Sequence, residues 1–400
     1  MTKKTAGIDN QEKGYITAKE ACKQLKVKPA TLYSYASRGL IHCVKVGGRA
    51  KLYSQEDLTR LRARSDANKG HTAVAAGALR WGEPVLDSKI TCVEEGQLFY
   101  RGVSLESLLT AEKTFEEVAQ LLWETSSPLV WSPTTPLVKP LVKPLAERSI
   151  LRLLQVSSQR CLAPQEALED RLAQYTGWVA DFAATLGADL QGYAGLAEAL
   201  CAGYQRPLSQ ARLFHIALIA CADHELNAST FTARVAASAG SSLAACLTAA
   251  LCTFTGSKHG GACEQLEETL RELAPLANGE RVSRVERWLV EKRTVPGFGH
   301  RLYQHEDPRT APLLRAAAEV NSEAPQYLAL RQLLTQMSQA GHVATVDAAM
   351  VSLSEALSLP PGSATALFAL GRTVGWLVYI EEQRQQGVLL RPRARYIGPR

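Results

Sequence analysis

The chain has 400 residues, which is too long for one compact core and excludes a single small binding module. Hydrophobic residues make up 46% and charged residues 21% of the sequence, so extensive disorder is excluded and a large folded core is expected. The sequence has neither an apolar run of the ~18–20 residues that cross a bilayer nor a secretion signal, which predicts a cytoplasmic protein without a membrane partner.

The net charge of +6 is distributed unevenly. Residues 1–70 contain fifteen Lys and Arg against six Asp and Glu, so they carry +9 and the remainder carries −3. A basic N-terminal segment on a mildly acidic body predicts nucleic acid as its partner. The nine cysteines form no Cys-x-x-Cys pair, which predicts free, buried thiols and no zinc site or disulfide framework.

Residues 15–64 have the pattern of a compact helical unit. Thr17 and Glu20 form a capping box that predicts a helix over about 18–25, and Pro29 predicts the start of a second helix ending near Arg38–Gly39. A β-hairpin is expected between Ile41 and Tyr53.

This segment resembles the winged helix-turn-helix DNA-binding domain of the excisionase and mercury-resistance-regulator type. The resemblance implies that the second helix enters the major groove and that the wing touches phosphates. The implied DNA contacts are Lys28, Thr31, Tyr33, Ser34, Tyr35 and Arg38 on the helix side, with Arg49 and Lys51 on the wing. The alternative is a domain that has lost DNA binding and only packs on the body.

Residues 65–85 are small and polar and predict a linker. Ile90 to Tyr100 predict a hairpin that turns at Glu95–Gly96, and almost everything after it has helical periodicity. We therefore expect a mainly α protein.

Four unusual sequences follow or interrupt the apolar helices of the body. Histidines stand in Asp223–Ser229, in the glycine-lined loop 256–262 and in Pro296–Arg301, while Asp347 lies in an apolar segment. Together with arginines such as Arg309, these groups could bind a polycarboxylate and enolise a neighbouring carbonyl compound. The spacing alone does not select the reaction.

The body resembles the citrate synthase family. Six motifs occur in that family's order across most of residues 87–400: DHELNAST, GSKHGGACE, VPGFGHRLYQHEDPR, VATVDAAM, FALGRTVGWLVYIEE and RPRARYIG. The resemblance implies citrate-synthase-like large and small helical domains, at 86–261 with 366–400 and at 262–365. It also implies a homodimer that uses acetyl-CoA and oxaloacetate without a metal or cofactor.

The resemblance further implies roles for individual residues. Asp347 corresponds to the base that deprotonates acetyl-CoA, His259 to the group that hydrogen-bonds the thioester carbonyl, and His300 to the group that polarises the oxaloacetate ketone. The oxaloacetate ligands would be His224, Arg309, Arg372 and, in the partner subunit's site, Arg391, while Arg301 is a candidate CoA contact.

Two alternatives remain open from the sequence. The substrate could be propionyl-CoA, which would make the body a 2-methylcitrate synthase, because pockets discriminate one methylene by only ~1–3 kcal/mol. The basic N-terminal unit also allows a DNA-binding regulator whose body senses a metabolite.

Overall fold

The structure is a computed structural model that describes residues 15–25, 27–37, 41–45, 51–55, 57–58, 86–134, 150–162, 170–299, 302–303, 305–392, 394, 396 and 398. These residues divide into two compact units. We call the described residues 15–58 of the first unit the head and Ser88–Arg395 the body. The predicted linker lies outside the described residues, as do Arg38, Arg49, His300 and Arg301.

The head combines two short helices with a three-stranded antiparallel sheet in the order β1-β3-β2. Its elements are β1 (Tyr15–Thr17), α1 (Ala18–Leu25), α2 (Pro29–Ser37), β2 (Cys43–Lys45) and β3 (Lys51–Ser54). The capping box is confirmed, since the Thr17 amide donates to Glu20 Oε2 at 3.0 Å and the Glu20 amide to Thr17 Oγ1 at 3.4 Å. Strand β1 was not predicted, because three residues are too short to show a period.

The body opens with a small antiparallel sheet of β4 (Thr91–Glu94), β5 (Gln97–Tyr100) and β6 (Val103–Ser104). Glu95 and Gly96 both have positive φ, 51° and 77°, which is the backbone of a tight hairpin turn. The predicted hairpin is therefore confirmed.

The rest of the described body is mainly helical, as predicted. Its helices are α3 (Leu105–Thr110), α4 (Phe115–Trp123), α5 (Ile150–Leu162), α6 (Arg171–Thr185), α7 (Leu196–Gly203), α8 (Ala211–Cys221), α9 (Ala228–Ser238), α10 (Leu243–Phe254), α11 (Gly261–Leu273), α12 (Asn278–Val290), α13 (Thr310–Glu319), α14 (Pro325–Gln339), α15 (Val346–Ala356) and α16 (Ser363–Gln386), with one 3₁₀ turn at Leu208–Gln210.

Helix α16 is the core helix of the body, and every residue from Ser363 to Ile380 is buried. It packs against α4, α6, α8, α9, α10 and α15. Among the described residues it alone has the length and hydropathy to span a membrane, and its apolar window is wholly buried inside the protein. The segment contains no uninterrupted apolar run of that length, because Arg372 interrupts it.

Two glycines let α16 approach the end of α8 closely. A Cβ on Gly371 would lie 2.7 Å from the Leu218 carbonyl oxygen, and one on Gly375 would lie 2.5 Å from Asp223 Oδ1. Real Cβ atoms do not approach so closely, so glycine is required at both positions. The close packing brings Arg372 up to the Asp223–His224 segment.

Candidate active site

The polar side chains of the body converge from the ends of several helices. His224 lies between α8 and α9, His259 between α10 and α11, and Asp347 in the first turn of α15. Arg309 immediately precedes α13, and Arg372 lies within α16. Both arginines are close enough to His259 to affect its pKa, and Arg309 also acts on Asp347, so these four groups lie near one another.

A glycine turn fixes His259. Its ring packs on Phe254, with centroids 4.7 Å apart. A Cβ on Gly260 would lie 2.0 Å from a Phe254 ring carbon, and one on Gly261 would lie 2.3 Å from the Thr255 carbonyl oxygen. The two glycines after His259 therefore permit the tight turn into α11, and the ring is left with little rotational freedom.

A hydrogen-bonded group around Ser229 controls the proton of His259. Ser229 Oγ lies 2.8 Å from His259 Nε2 and 2.7 Å from Asn227 Oδ1, and it accepts from Trp376 Nε1 at 3.1 Å. The Thr230 amide donates to Asn227 Oδ1, which identifies that atom as oxygen. The single hydroxyl proton of Ser229 thus has two acceptors. When it points to His259, the other ring nitrogen, Nδ1, carries the proton and can donate to a substrate oxygen.

His259 is held in its neutral form. Burial disfavours the charged ring, and the positive charges of Arg372 and Arg309 add to this, so the pKa of His259 falls to about 3. A neutral imidazole can donate a hydrogen bond to a developing oxyanion without first losing a proton.

Arg372 presents an unused donor. Its Nε donates to the Cys221 carbonyl oxygen at 2.8 Å, whereas its Nη2 is buried without a hydrogen-bond partner among the described residues. Burial is also the main reason that the pKa of Arg372 is lowered. A buried, incompletely bonded guanidinium is unfavourable in the free protein, which indicates an anionic ligand at this position.

Asp223 neighbours Arg372 and is buried as well. The Thr91 hydroxyl donates to its Oδ2. Burial raises the pKa of Asp223 to about 6, although Arg372 opposes this shift. Asp223 therefore adds little negative charge against an incoming anion at slightly acidic pH.

Arg309 is oriented by its own carboxylate partner. Its Nε and Nη2 bond the two oxygens of Asp307 at 2.8 and 2.6 Å. Burial disfavours the charged guanidinium, but Asp307 outweighs it, so the pKa of Arg309 is raised. Asp307 Oδ2 also accepts from the Val346 amide at 3.3 Å. One carboxylate thus connects Arg309 to the residue before Asp347.

His224 contacts a tyrosine that is not among the predicted site residues. The Tyr303 hydroxyl lies 2.8 Å from His224 Nε2, and both residues are buried. The Tyr303 ring also faces the Arg309 guanidinium at 5.9 Å. Tyr303 therefore joins two of the predicted oxaloacetate ligands. The HRLYQHEDPR motif contained it, but nothing in the sequence placed it beside His224.

Asp347 has the surroundings of a base. The Thr345 hydroxyl donates to its Oδ2 at 2.9 Å, and the Cys263 thiol lies 3.6 Å from its Oδ1. Burial raises the pKa of Asp347, partly offset by the Thr345 hydrogen bond and Arg309. The loop before it is anchored by the Thr345 amide, which donates to the Gly297 carbonyl oxygen at 2.9 Å. This bond ties Asp347 to the glycine-rich loop that leads to His300.

The other predicted site residues are exposed, lie in the head, or lie outside the described residues. Arg391 follows α16 and is exposed, whereas His300 and Arg301 lie outside the described residues. In the head, Lys28, Tyr33 and Lys51 are exposed, Thr31 and Ser34 are half-buried, and Tyr35 packs against the small core. Within the described part of the chain, no group of three His, Cys, Asp or Glu residues could hold a metal ion.

The arrangement has the groups that an enolisation requires. Two buried arginines and His224 can hold a dianion, a neutral imidazole can stabilise an oxyanion, and a carboxylate with raised pKa can remove a carbon-bound proton. Most of these groups lie at helix ends, and Arg372 lies within the core helix α16, so the packing of the helices orients them.

The chain matches two known families. The family "Citrate synthase, C-terminal domain" matches residues 78–152 and 149–393, and the family "Helix-turn-helix domain" matches residues 15–65. Citrate synthase 2 of Bacillus subtilis is 38% identical over 46% of this chain and 50% of that protein. The chain therefore aligns with about half the length of this relative. The 2-methylcitrate synthase of Mycobacterium tuberculosis is 27% identical over 76% of this chain and 86% of that protein.

The fold is that of a solved citrate synthase. The enzyme from Thermoplasma acidophilum, in ternary complex with carboxymethyl coenzyme A and oxaloacetate, aligns with a TM-score of 0.70 and 22% identity over 81% of this chain and 96% of that chain. The predicted mainly helical class, with a helix-turn-helix unit at its N-terminus, is confirmed.

Proposed function

Because this chain belongs to the citrate synthase family, we propose that its body condenses acetyl-CoA with oxaloacetate and hydrolyses the citryl-CoA intermediate to citrate and CoA. The observation that supports this most directly is the buried Arg372 Nη2, which has no hydrogen-bond partner in the described residues. It lies near a neutral histidine and a half-buried carboxylate of raised pKa. The Thermoplasma enzyme, which shares the fold, binds oxaloacetate together with a coenzyme A derivative.

Oxaloacetate binds first in this proposal. Its carboxylates take the open donor of Arg372 and a donor of Arg309, and His224 contributes a further hydrogen bond. The bond to Arg372 satisfies a buried donor, so binding relieves an unfavourable feature of the free protein. Closure of the proposed small domain, residues 262–365, over the proposed large domain would then exclude water from the thioester.

Asp347 and His259 carry out the enolisation. The Asp347 carboxylate takes a proton from the methyl carbon of acetyl-CoA, and the C–H electron pair forms the carbon–carbon double bond of the enol. His259 donates a hydrogen bond to the thioester oxygen, on which negative charge develops. The enol carbon then attacks the ketone carbon of oxaloacetate, and His300 protonates the ketone oxygen. Water finally displaces CoA from the thioester.

The test is release of free thiol from acetyl-CoA in the presence of oxaloacetate. We expect thiol release that depends on both substrates and proceeds without added metal. A folded sample that releases thiol only at the background rate would disprove the proposal. Running propionyl-CoA in parallel identifies the thioester, because the 2-methylcitrate alternative requires a larger kcat/KM with propionyl-CoA.

We further infer that the head binds DNA. The helix α2 presents Tyr33, which is 53% exposed, and the exposed Lys28 lies just before it. The charge of +9 on residues 1–70 favours a polyanion. A body that acts as a metabolite sensor would couple oxaloacetate binding to DNA affinity in both directions.

Binding to the promoter region of the protein's own operon tests the head. Affinity should fall steeply with salt and should drop in Arg38→Ala and in Lys51→Ala, while the body variant Lys113→Ala leaves it unchanged. An oxaloacetate-dependent change in affinity would favour the sensor function. Absence of binding at low salt would disprove DNA recognition and leave the enzyme proposal intact.

A further inference from the structure

We propose that Cys263 is a positioning residue for Asp347, and that its neutral thiol orients the carboxylate while leaving it more basic than a stronger donor would. The inference rests on the proposed function, in which Asp347 is the base. It concerns a side chain for which the proposed reaction has no other use.

The geometry puts the thiol directly beside the carboxylate. Cys263 lies in the first turn of α11 and Asp347 in the first turn of α15, and these two helices pack against each other. The Cys263 Sγ is 3.6 Å from Asp347 Oδ1 and 3.8 Å from the Asp347 carbonyl oxygen. Because Thr345 donates to the other carboxylate oxygen, the two donors together fix the plane of the carboxylate.

The thiol can only act as a donor here. Cys263 is 0% exposed, and burial, reinforced by the negative charge of Asp347, raises the pKa of the thiol well above its ordinary value. It therefore keeps its proton, which can point only to an acceptor such as Asp347 Oδ1. Complete burial also excludes a role as a nucleophile toward substrate.

A thiol is a weak hydrogen-bond donor, and this determines its effect on the base. A strong donor such as a hydroxyl would stabilise the carboxylate and weaken it as a base, whereas no donor at all would leave its orientation to Thr345 alone. The other charged groups that act on Asp347 are Arg309 and Asp307, which oppose each other. The weak thiol bond thus adds orientation at little loss of basicity.

The pH dependence of kcat/KM distinguishes this role from simple packing. The acid limb reports the pKa of the base, so Cys263→Ala should move it to higher pH by up to about half a unit, because a weak donor to the carboxylate is lost. Cys263→Ser supplies a donor stronger than the thiol. Its acid limb should therefore lie at lower pH than the acid limbs of the alanine variant and of wild type. The control Cys246→Ala removes another fully buried thiol, one that bonds only a carbonyl oxygen, and should leave the limb unchanged.

A second measurement is independent of turnover. The infrared S–H stretching band of the wild-type protein should lose a hydrogen-bonded component in Asp347→Ala, which removes the side-chain acceptor, and the same component should be missing in Cys263→Ala. An S–H band that is identical in wild type and Asp347→Ala would overturn the inference, and so would acid limbs that coincide in wild type and both Cys263 variants. A wild-type protein that releases no thiol would disprove the proposed function instead, while the infrared comparison still tests the Cys263–Asp347 bond.

Discussion

At the scale of single residues, the site depends on which groups are kept neutral and which are kept incompletely bonded. His259 is neutral because it is half-buried next to two arginines, and Asp347 is a stronger base than an exposed carboxylate because desolvation outweighs the Thr345 hydrogen bond and the charge of Arg309. Arg372 retains an open donor because the core helix α16 holds its Nε against the Cys221 carbonyl oxygen. Each of these states is unfavourable in isolation and is maintained by the surrounding fold.

The first prediction concerns the two groups that act in the enolisation. Asp347→Asn and His259→Ala should each lower turnover by about 10²–10⁴-fold with a much smaller effect on oxaloacetate binding, because base and oxyanion donor act mainly in the transition state. Steady-state kinetics combined with calorimetric binding of oxaloacetate measures both effects. Asp189→Asn, on the surface of the body, is the control. Near-native turnover in Asp347→Asn would show that another group is the base.

The second prediction uses the open donor of Arg372. Arg372→Met should weaken oxaloacetate binding by about 100-fold or more while leaving the free energy of unfolding unchanged or higher, because a buried and incompletely bonded charge is removed. The matched control is Arg234→Met. Arg234 is equally buried, but its Nε, Nη1 and Nη2 are bonded by Gln383, Glu382 and Gln386, so its removal should cost about 3–5 kcal/mol of stability.

Urea unfolding and oxaloacetate titration of the two variants measure the difference between a ligand-binding and a structural arginine. Equal destabilisation of both variants would mean that Arg372 is structural.

At the scale of elements, one buried carboxyl group connects two helices of the body. Glu267 of α11 accepts a hydrogen bond from the Gly362 amide at the start of α16, at 2.9 Å. Burial raises the pKa of Glu267 to about 7, with Glu355 and Glu264 adding to the shift. This bond connects the first helix of the segment that we propose as the small domain to the start of α16, which leads out of that segment.

The third prediction follows from that pKa. A carboxyl group whose pKa is higher in the folded than in the unfolded chain stabilises the fold while it is protonated, and this contribution is lost as pH rises from about 4.5 to about 7. Glu267→Gln keeps an acceptor for Gly362 and cannot ionise. The variant should therefore be more stable than wild type by about 1–3 kcal/mol at pH 8, with a smaller difference at pH 5.

Chemical denaturation at the two pH values measures this difference. Glu272→Gln, an exposed position on the same helix, is the control and should show no such pH-dependent gain. A difference between Glu267→Gln and wild type that is the same at both pH values would contradict the assigned ionisation.

At the scale of the whole molecule, the chain that leaves α16 carries the features of a subunit contact. Val388 and Leu389 are 61% and 57% exposed, and the exposed Arg391 follows them. Exposure of these apolar residues is unfavourable unless a second copy of the chain covers them. The same contact would bring Arg391, a proposed oxaloacetate ligand, to the partner's site. We therefore propose a homodimer in which Arg391 completes the site of the partner.

The fourth prediction tests that exchange by complementation. Arg391→Ala and Asp347→Asn should each be nearly inactive as pure dimers. A dimer with one subunit of each kind has one complete site, because the subunit with intact Asp347 receives an intact Arg391 from its neighbour. Random mixing of equal amounts should thus restore about a quarter of wild-type specific activity. Mixtures that remain inactive, or an active monomer in sedimentation, would rule out the shared site.

The local features of this protein follow from its sequence alone. Capping and glycine signals located helices α1 and α2, the Glu95–Gly96 turn and the breaks around His224 and His259, because such features depend on residues only a few positions apart. The order of six motifs was sufficient to identify the family, and the periodicity of the apolar residues was sufficient for the helical class.

The way in which the site residues affect one another depends on the packed structure and could not be predicted. Trp376 donates to Ser229 across 147 positions of sequence, and Cys263 reaches Asp347 across 84. The neutral state of His259 and the open donor of Arg372 likewise depend on burial by helices that are distant in sequence. Desolvation and hydrogen bonding act over a few ångströms in space, so the protonation states that make these residues useful exist only once the helices are packed.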